Sequence, residues 1–123
     1  MTLTSEAAVL SALRKRFPSP AWAFLDHVRN GTGYAKTTAR TIDAMVMGLW
    51  PSHGLELHGI EVKVSRADWK KERSDPWKSD DHFAYCDRWW LAVGDPAIVQ
   101  PGELPPTWGL LVPKGDSMAA KVE

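Results

Sequence analysis

Residues 55–69 read Leu55-Glu56-Leu57-His58-Gly59-Ile60-Glu61-Val62-Lys63-Val64-Ser65-Arg66-Ala67-Asp68-Trp69. Two periodicities meet in this stretch. From Leu55 to Val64 the pattern alternates around Gly59. Ile60, Val62 and Val64 fall on one face and Glu61 and Lys63 on the other, the period of two expected of a strand. From Ser65 the pattern turns helical: a hydroxyl suited to capping, then a mixed-charge run from Arg66 to Arg73. A strand that carries an acid and a lysine on one face and leads directly into a helix is an α/β element. The rest of the chain is placed around it.

Upstream, Thr41 to Leu49 is an apolar run interrupted by one acid, Asp43, and reads as a buried strand. Trp50-Pro51-Ser52-His53-Gly54 turns the chain between the two strands. Trp22 to Arg29 reads as a strand or a short helix, followed by a turn at Asn30-Gly31-Thr32-Gly33. A first helix starts from a cap at Thr4 and runs to about Arg16, with Leu10, Leu13 and Phe17 on one face; Pro18 and Pro20 end it. Downstream, a break at Asp75-Pro76 separates the Arg66–Arg73 helix from a second one over Lys78–Asp87. A short strand at Arg88–Val93 follows, then a loop-rich Pro96–Pro106 with a small strand at Ile98-Val99. Trp108–Val112 is a further strand, and the tail after Pro113 carries no assignment. This order predicts one mixed sheet with helices on its faces.

The chain's 123 residues suit a single domain, 1–123. An apolar fraction of 44% and a charged fraction of 24% exclude global disorder. A single cysteine excludes an intrachain disulfide and a Cys-rich zinc site. His27, His53, His58 and Cys86 fit no short zinc motif, and His58 alternates with Glu56 as a solvent-facing pair would. No apolar run approaches the roughly 18 residues that span a bilayer, so no membrane partner is expected. The N-terminus lacks the early charges and long apolar block of a signal peptide, so the expected location is cytoplasmic. Gly31-Thr32-Gly33 is too short for a phosphate loop.

The 15 basic and 15 acidic groups cancel, which argues against a generic DNA-coating protein. The cancellation is uneven: residues 29–78 carry nine basic and six acidic groups, and residues 79–123 carry three and seven. A phosphate-binding face on the middle segment is therefore allowed, although a mixed-sign run also suits a solvated helix.

The turn between the Asp43 and Glu61 strands lets antiparallel pairing set the two acids side by side. Buried acids are costly unless they are paired or bind metal, and a hard divalent cation relieves the repulsion between two of them. Lys63 lies on the face of Glu61, about 6.5–7 Å along the strand. Phosphodiester cleavage uses these parts: a metal to polarise phosphate and activate water, and a cation near the developing charge. The same residues also make a cross-strand ion pair, with Glu61 or Asp43 joined to Lys63 or Arg40. Asp68-Trp69-Lys70 repeats the acid-x-Lys spelling, but in a helical setting where the two charges diverge.

The segment from Asp43 through Gly59-Ile60-Glu61-Val62-Lys63-Val64-Ser65-Arg66-Ala67-Asp68-Trp69, with Cys86-Asp87-Arg88-Trp89-Trp90 beyond it, resembles the PD-(D/E)XK, restriction-endonuclease-like superfamily. Within it, the chain is similar to small MmcB-type DNA-repair proteins and related phage proteins over residues 40–112. The resemblance implies an αβββαβ core in a central mixed sheet flanked by helices. It implies Mg²⁺ or Mn²⁺ held by Asp43, Glu61 and the Val62 carbonyl, and a Lys63 that positions water or stabilises charge. An acid on the first helix often adds to such sites, and Glu6 is the candidate. Ile42 stands where the family spelling has proline. Some members of the superfamily have lost catalysis, so the fold alone does not imply cleavage.

Ser65 and Asp68 are accessory candidates, with capping and a first-turn position as their structural roles. Arg40, Arg66, Lys70, Lys78 and Tyr85 are candidate nucleic-acid contacts, with a solvated surface as the alternative. Of seven Trp, Trp69 and Trp77 flank the basic helix and are placed to stack on bases or form a dimer surface; packing is the default for the others.

Three functions follow as expectations. The first is a metal-dependent DNA nuclease of repair, recombination or phage DNA processing, working as a homodimer or with a protein partner. The second is a catalytically silent module of the same fold that binds DNA or a protein. The third is an interaction protein in which Glu61 and Lys63 are only an ion pair.

Overall fold

The computed structural model describes residues 2–30, 40–50, 54–73 and 86–122, and of residues 28–30, 40–41 and 72–73 the backbone alone. Helix α1 spans Glu6–Arg16. Its cap is Ser5 rather than Thr4: the Ser5 hydroxyl accepts the Ala8 N–H at 3.1 Å, three residues on, where a capping oxygen reaches an orphan donor. Glu6 in the first turn and Arg14, Lys15 and Arg16 in the last complement the helix dipole. Phe17 closes the helix, its N–H bonded to the Leu13 carbonyl.

Strands β1 (Trp22–Asn30), β2 (Arg40–Gly48), β3 (Leu57–Lys63), β4 (Arg88–Val93), β5 (Gly109–Lys114) and β6 (Ser117–Val122) form one sheet in the order of the chain. Helix α2 (Arg66–Arg73) lies between β3 and β4 in sequence. β1, β2 and β3 pair antiparallel, β3–β4 and β4–β5 parallel, and β5–β6 antiparallel. The α/β class and mixed sheet are as expected from sequence. Trp22 to Arg29 resolves as strand. β6 is an addition: Met118 is buried, Ser117, Ala119 and Ala120 half-buried and Lys121 and Val122 exposed, so no alternation marks it. Ile98-Val99 is not a strand. Pro96–Ile98 is a 3-10 turn capped by Asp95, whose Oδ1 accepts the Ala97 N–H at 2.9 Å, and Pro96 has no N–H to give a ladder. The expected helix at 78–87 falls mostly outside the described residues.

Two apolar layers sandwich the sheet. On one face α1 contributes Val9, Leu10 and Leu13 against Val46, Ile60, Val62 and Leu111. On the other, Trp69 of α2 packs on Trp89, Leu91, Val93 and Trp108. Each fully buried aliphatic side chain contributes about 1.5–3 kcal/mol, which across two layers offsets the entropy of ordering the chain.

Much of the tryptophan content answers to glycine. Trp89 stands opposite Gly59 on β3, and Trp90 opposite Gly109 on β5. A Cβ at Gly59 would overlap the Trp89 ring and meet Cys86 Sγ at 2.9 Å; one at Gly109 would overlap the Trp90 ring. As neighbours on β4, the two tryptophans point to opposite faces, so each indole lies flat over a different adjoining strand.

Candidate functional site

The hydrogen bonds of the β2–β3 ladder fall on even-numbered pairs, as Gly48 N–H to Glu56 C=O (3.1 Å) shows. The ladder's last matched pair is Ala44 with Ile60. One step further the register sets Asp43 opposite Glu61, and two steps further Ile42 opposite Val62. The Val62 N–H would there donate to the Ile42 carbonyl. It donates instead to Asp43 Oδ2 at 2.8 Å. A carboxylate has taken the place of a main-chain acceptor, and the ladder ends there. The apolar alternation of β2 breaks at the same point: Ala44 and Val46 join the α1-side cluster, whereas Ile42 joins the α2-side cluster. Residues directly opposite in an antiparallel pair hold their Cβ atoms about 4.5–5.5 Å apart.

Glu61 and Lys63 lie on the α2 face of β3. Glu61 is 9% exposed. Lys63 Nζ stands 3.6 Å from Glu61 Oε1, with side chains 13% and 12% exposed. Removing both charges from water is costly, and their attraction offsets that cost only with further polar contacts. The C-terminal end of β3 is stitched to its neighbours by Gly94 N–H to Lys63 C=O (3.1 Å) and Leu3 N–H to Gly94 C=O (2.7 Å). Lys63 thus lies beside Glu61, and Asp43 is bound to the backbone of Val62 between them.

The remaining candidates divide. Glu6 does not join them: α1 packs on the face opposite Glu61, and the Glu6 carboxylate lies 3.2 Å from His27 Nε2. Ser65 caps α2, its Oγ accepting the Asp68 N–H at 3.1 Å, and Asp68 is exposed in the first turn. Arg66 departs from a free phosphate contact. Its guanidinium makes a two-pronged pair with Glu103, with Nη2 to Oε2 at 2.6 Å, and donates to the Ile98 carbonyl at 2.7 Å. The Glu103 hydrogen bond raises the arginine's pKa further. Nothing in the sequence marks Glu103, which is remote from Arg66 in a proline-rich loop. Lys70 is exposed on α2. Arg40 opens β2 by its backbone, and Lys78 and Tyr85 lie outside the described residues.

Among the described residues no group of three His, Cys, Asp or Glu side chains is placed to hold a metal. Asp43, Glu61 and the Val62 carbonyl, the ligands the sequence suggests, offer hard oxygen donors only. Such a set fits Mg²⁺ or Mn²⁺, which bind through one or two carboxylates and keep several waters.

The second buried polar side chain, His58, corrects the solvent-facing reading. It is 5% exposed and sits on the α1 face of β3 among Phe17, Trp22 and Trp90. Those rings come from α1, β1 and β4, so the local alternation around Glu56 gave no sign of them. No described helix is long and apolar enough to cross a membrane.

No family model and no curated protein matches the chain. Among solved structures, it is similar to the SPO1766 protein of unknown function from Silicibacter pomeroyi, with a TM-score of 0.62 and 24% identity. The match covers 94% of this chain and 66% of that one, just under two thirds of its length. At this identity the likeness concerns the fold alone.

Proposed function

We propose that the chain is a metal-dependent nuclease domain of the PD-(D/E)XK type acting on DNA. The observations that support this reading are the Val62 N–H bound to Asp43 Oδ2 just beyond the end of the β2–β3 ladder, and Lys63 beside Glu61. The Val62 N–H fixes one oxygen of the Asp43 carboxylate. The backbone beneath Glu61 is held in place by the Trp89 ring on Gly59. Lys63 supplies positive charge to the same space, where charge develops on a phosphodiester as it is cleaved. A Mg²⁺ or Mn²⁺ ion held by Asp43, Glu61 and the Val62 carbonyl would polarise the phosphate and lower the pKa of a bound water. Lys70 on α2 and Arg40 at the start of β2 are the phosphate contacts in this reading, and a second copy or a protein partner completes the grip on DNA.

The test is Mg²⁺- or Mn²⁺-dependent cleavage of duplex, branched and single-stranded DNA by wild type, Glu61→Ala and Lys63→Ala. Loss of cleavage in both variants supports the site; equal cleavage by the variants sinks it.

Two observations favour a second reading, an interaction protein in which Glu61 and Lys63 are only an ion pair. Lys63 is already within 3.6 Å of Glu61, and Arg66 is committed to Glu103. That reading expects no metal binding by calorimetry and no shift of DNA.

A further inference from the structure

At the other end of β3, the imidazole of His58 is enclosed on the α1 side. The Trp90 indole Nε1–H donates to His58 Nδ1 at 3.0 Å. An indole nitrogen donates and cannot accept, so Nδ1 must carry the lone pair and the ring proton sits on Nε2. Nε2 faces Glu56 Oε1 at 3.4 Å. Phe17 and Trp22 meet the ring edge-on, with centroids at 6.0 and 5.5 Å, and Trp90 stacks at 6.2 Å.

A second proton on this ring would convert Nδ1 to a donor facing another donor. The charges around it are mixed. Glu56 and Asp87 favour an imidazolium and Arg88 opposes it. Arg88 is bonded to Glu56 at 3.0 Å, and Arg16 of α1 lies over the rings of Phe17 and Trp90 at 5.5 and 5.8 Å. The neighbours from β1 and β2, Trp22 and Val46, bring no charge. Burial is the largest influence and holds the imidazole below its ordinary titration range.

We propose that His58 is a proton-operated latch: neutral, it ties the end of α1 and the start of β1 to β3 and β4, and protonation releases them. The latch is independent of any activity at Asp43, Glu61 and Lys63.

The sign follows from the neutral form being the one folded in. The stabilisation is complete above the unfolded imidazole's value of 6.5 and is lost as pH falls through the lower native value. Over that window the unfolding constant rises by up to about tenfold per pH unit for one proton.

Two measurements test the latch on the full chain. In wild type, ¹⁵N NMR should show the Nε2–H tautomer at neutral pH. The Trp90 indole N–H resonance should shift or vanish with a midpoint below 6.5. Urea unfolding between pH 7 and pH 5 should weaken wild type more than His58→Asn, whose side-chain oxygen can accept from Trp90 but does not titrate. Glu56→Gln should move the wild-type transition to lower pH, since the carboxylate favours the imidazolium. A proton on Nδ1 at neutral pH, a midpoint at or above 6.5, or an equal loss of stability in His58→Asn would each overturn the proposal. So would a transition that disappears in Glu56→Gln.

Discussion

His58 and Glu61 are the two buried polar side chains among the described residues; they lie three positions apart on one strand and face opposite ways. His58 is neutral and walled in by aromatic rings, its Nδ1 filled by the Trp90 N–H. Glu61 is an acid just past the end of the β2–β3 ladder, with a lysine beside it and Asp43 bound to the next residue's N–H. The first arrangement satisfies a polar group so that layers can pack over it. The second places a buried ion pair just past the last matched pair of β2 and β3. Burial alone therefore does not distinguish the two settings. What distinguishes them is that β2–β3 pairing includes His58 and stops one residue short of Glu61.

Four substitutions break or sharpen this contrast. The largest effect is expected at the charged end. Lys63→Met should lower metal-dependent DNA cleavage by about 10²–10³-fold, the loss typical of removing one group that stabilises developing charge. The measurement is initial rate under saturating Mn²⁺. Gly59→Ala lies between the two groups and drives a methyl into the Trp89 ring. It should cost about 2–3 kcal/mol in urea unfolding, as overpacking does. Trp90→Phe removes the donor to His58 Nδ1 and some packing volume. A loss of about 2 kcal/mol is expected, with cleavage unchanged once the protein is folded. Ser5→Ala touches neither end; losing the α1 cap should cost about 1 kcal/mol, read as a small drop in Tm. If Trp90→Phe lowered cleavage as much as Lys63→Met, the two ends of β3 would not be separate.

The parts of this molecule legible in the sequence are those whose signals are local. The alternation of Ile60, Val62 and Val64 against Glu61 and Lys63 marks β3, and the change of period at Ser65 marks α2, whose span Arg66–Arg73 is as read. The antiparallel pairing of β2 with β3 was legible because the two strand patterns lie close together in sequence. Features assembled from distant segments were hidden. The aromatic wall of His58 comes from three elements, and the partner of Arg66 lies 37 residues away. β6 was missed because its burial falls from Met118 to exposed Lys121 and Val122 without the alternation that exposes a strand. Ser5 and Thr4 are chemically equivalent caps, and only the register of the first turn chooses between them.

The sheet's order has a consequence for how the chain is made. Each strand pairs only with its neighbours in sequence, so pairing can proceed in the direction of synthesis. The packing of α1 cannot. Its apolar stripe rests on Met118 of β6 as well as on the central strands, and Arg16 donates to the Met118 carbonyl at 3.2 Å. The packing of α1 is thus complete only after β6 has been made. Until then Val9 and Leu13 lack part of their cover, so a ribosome stalled before Ser117 would leave an incomplete, adhesive sheet.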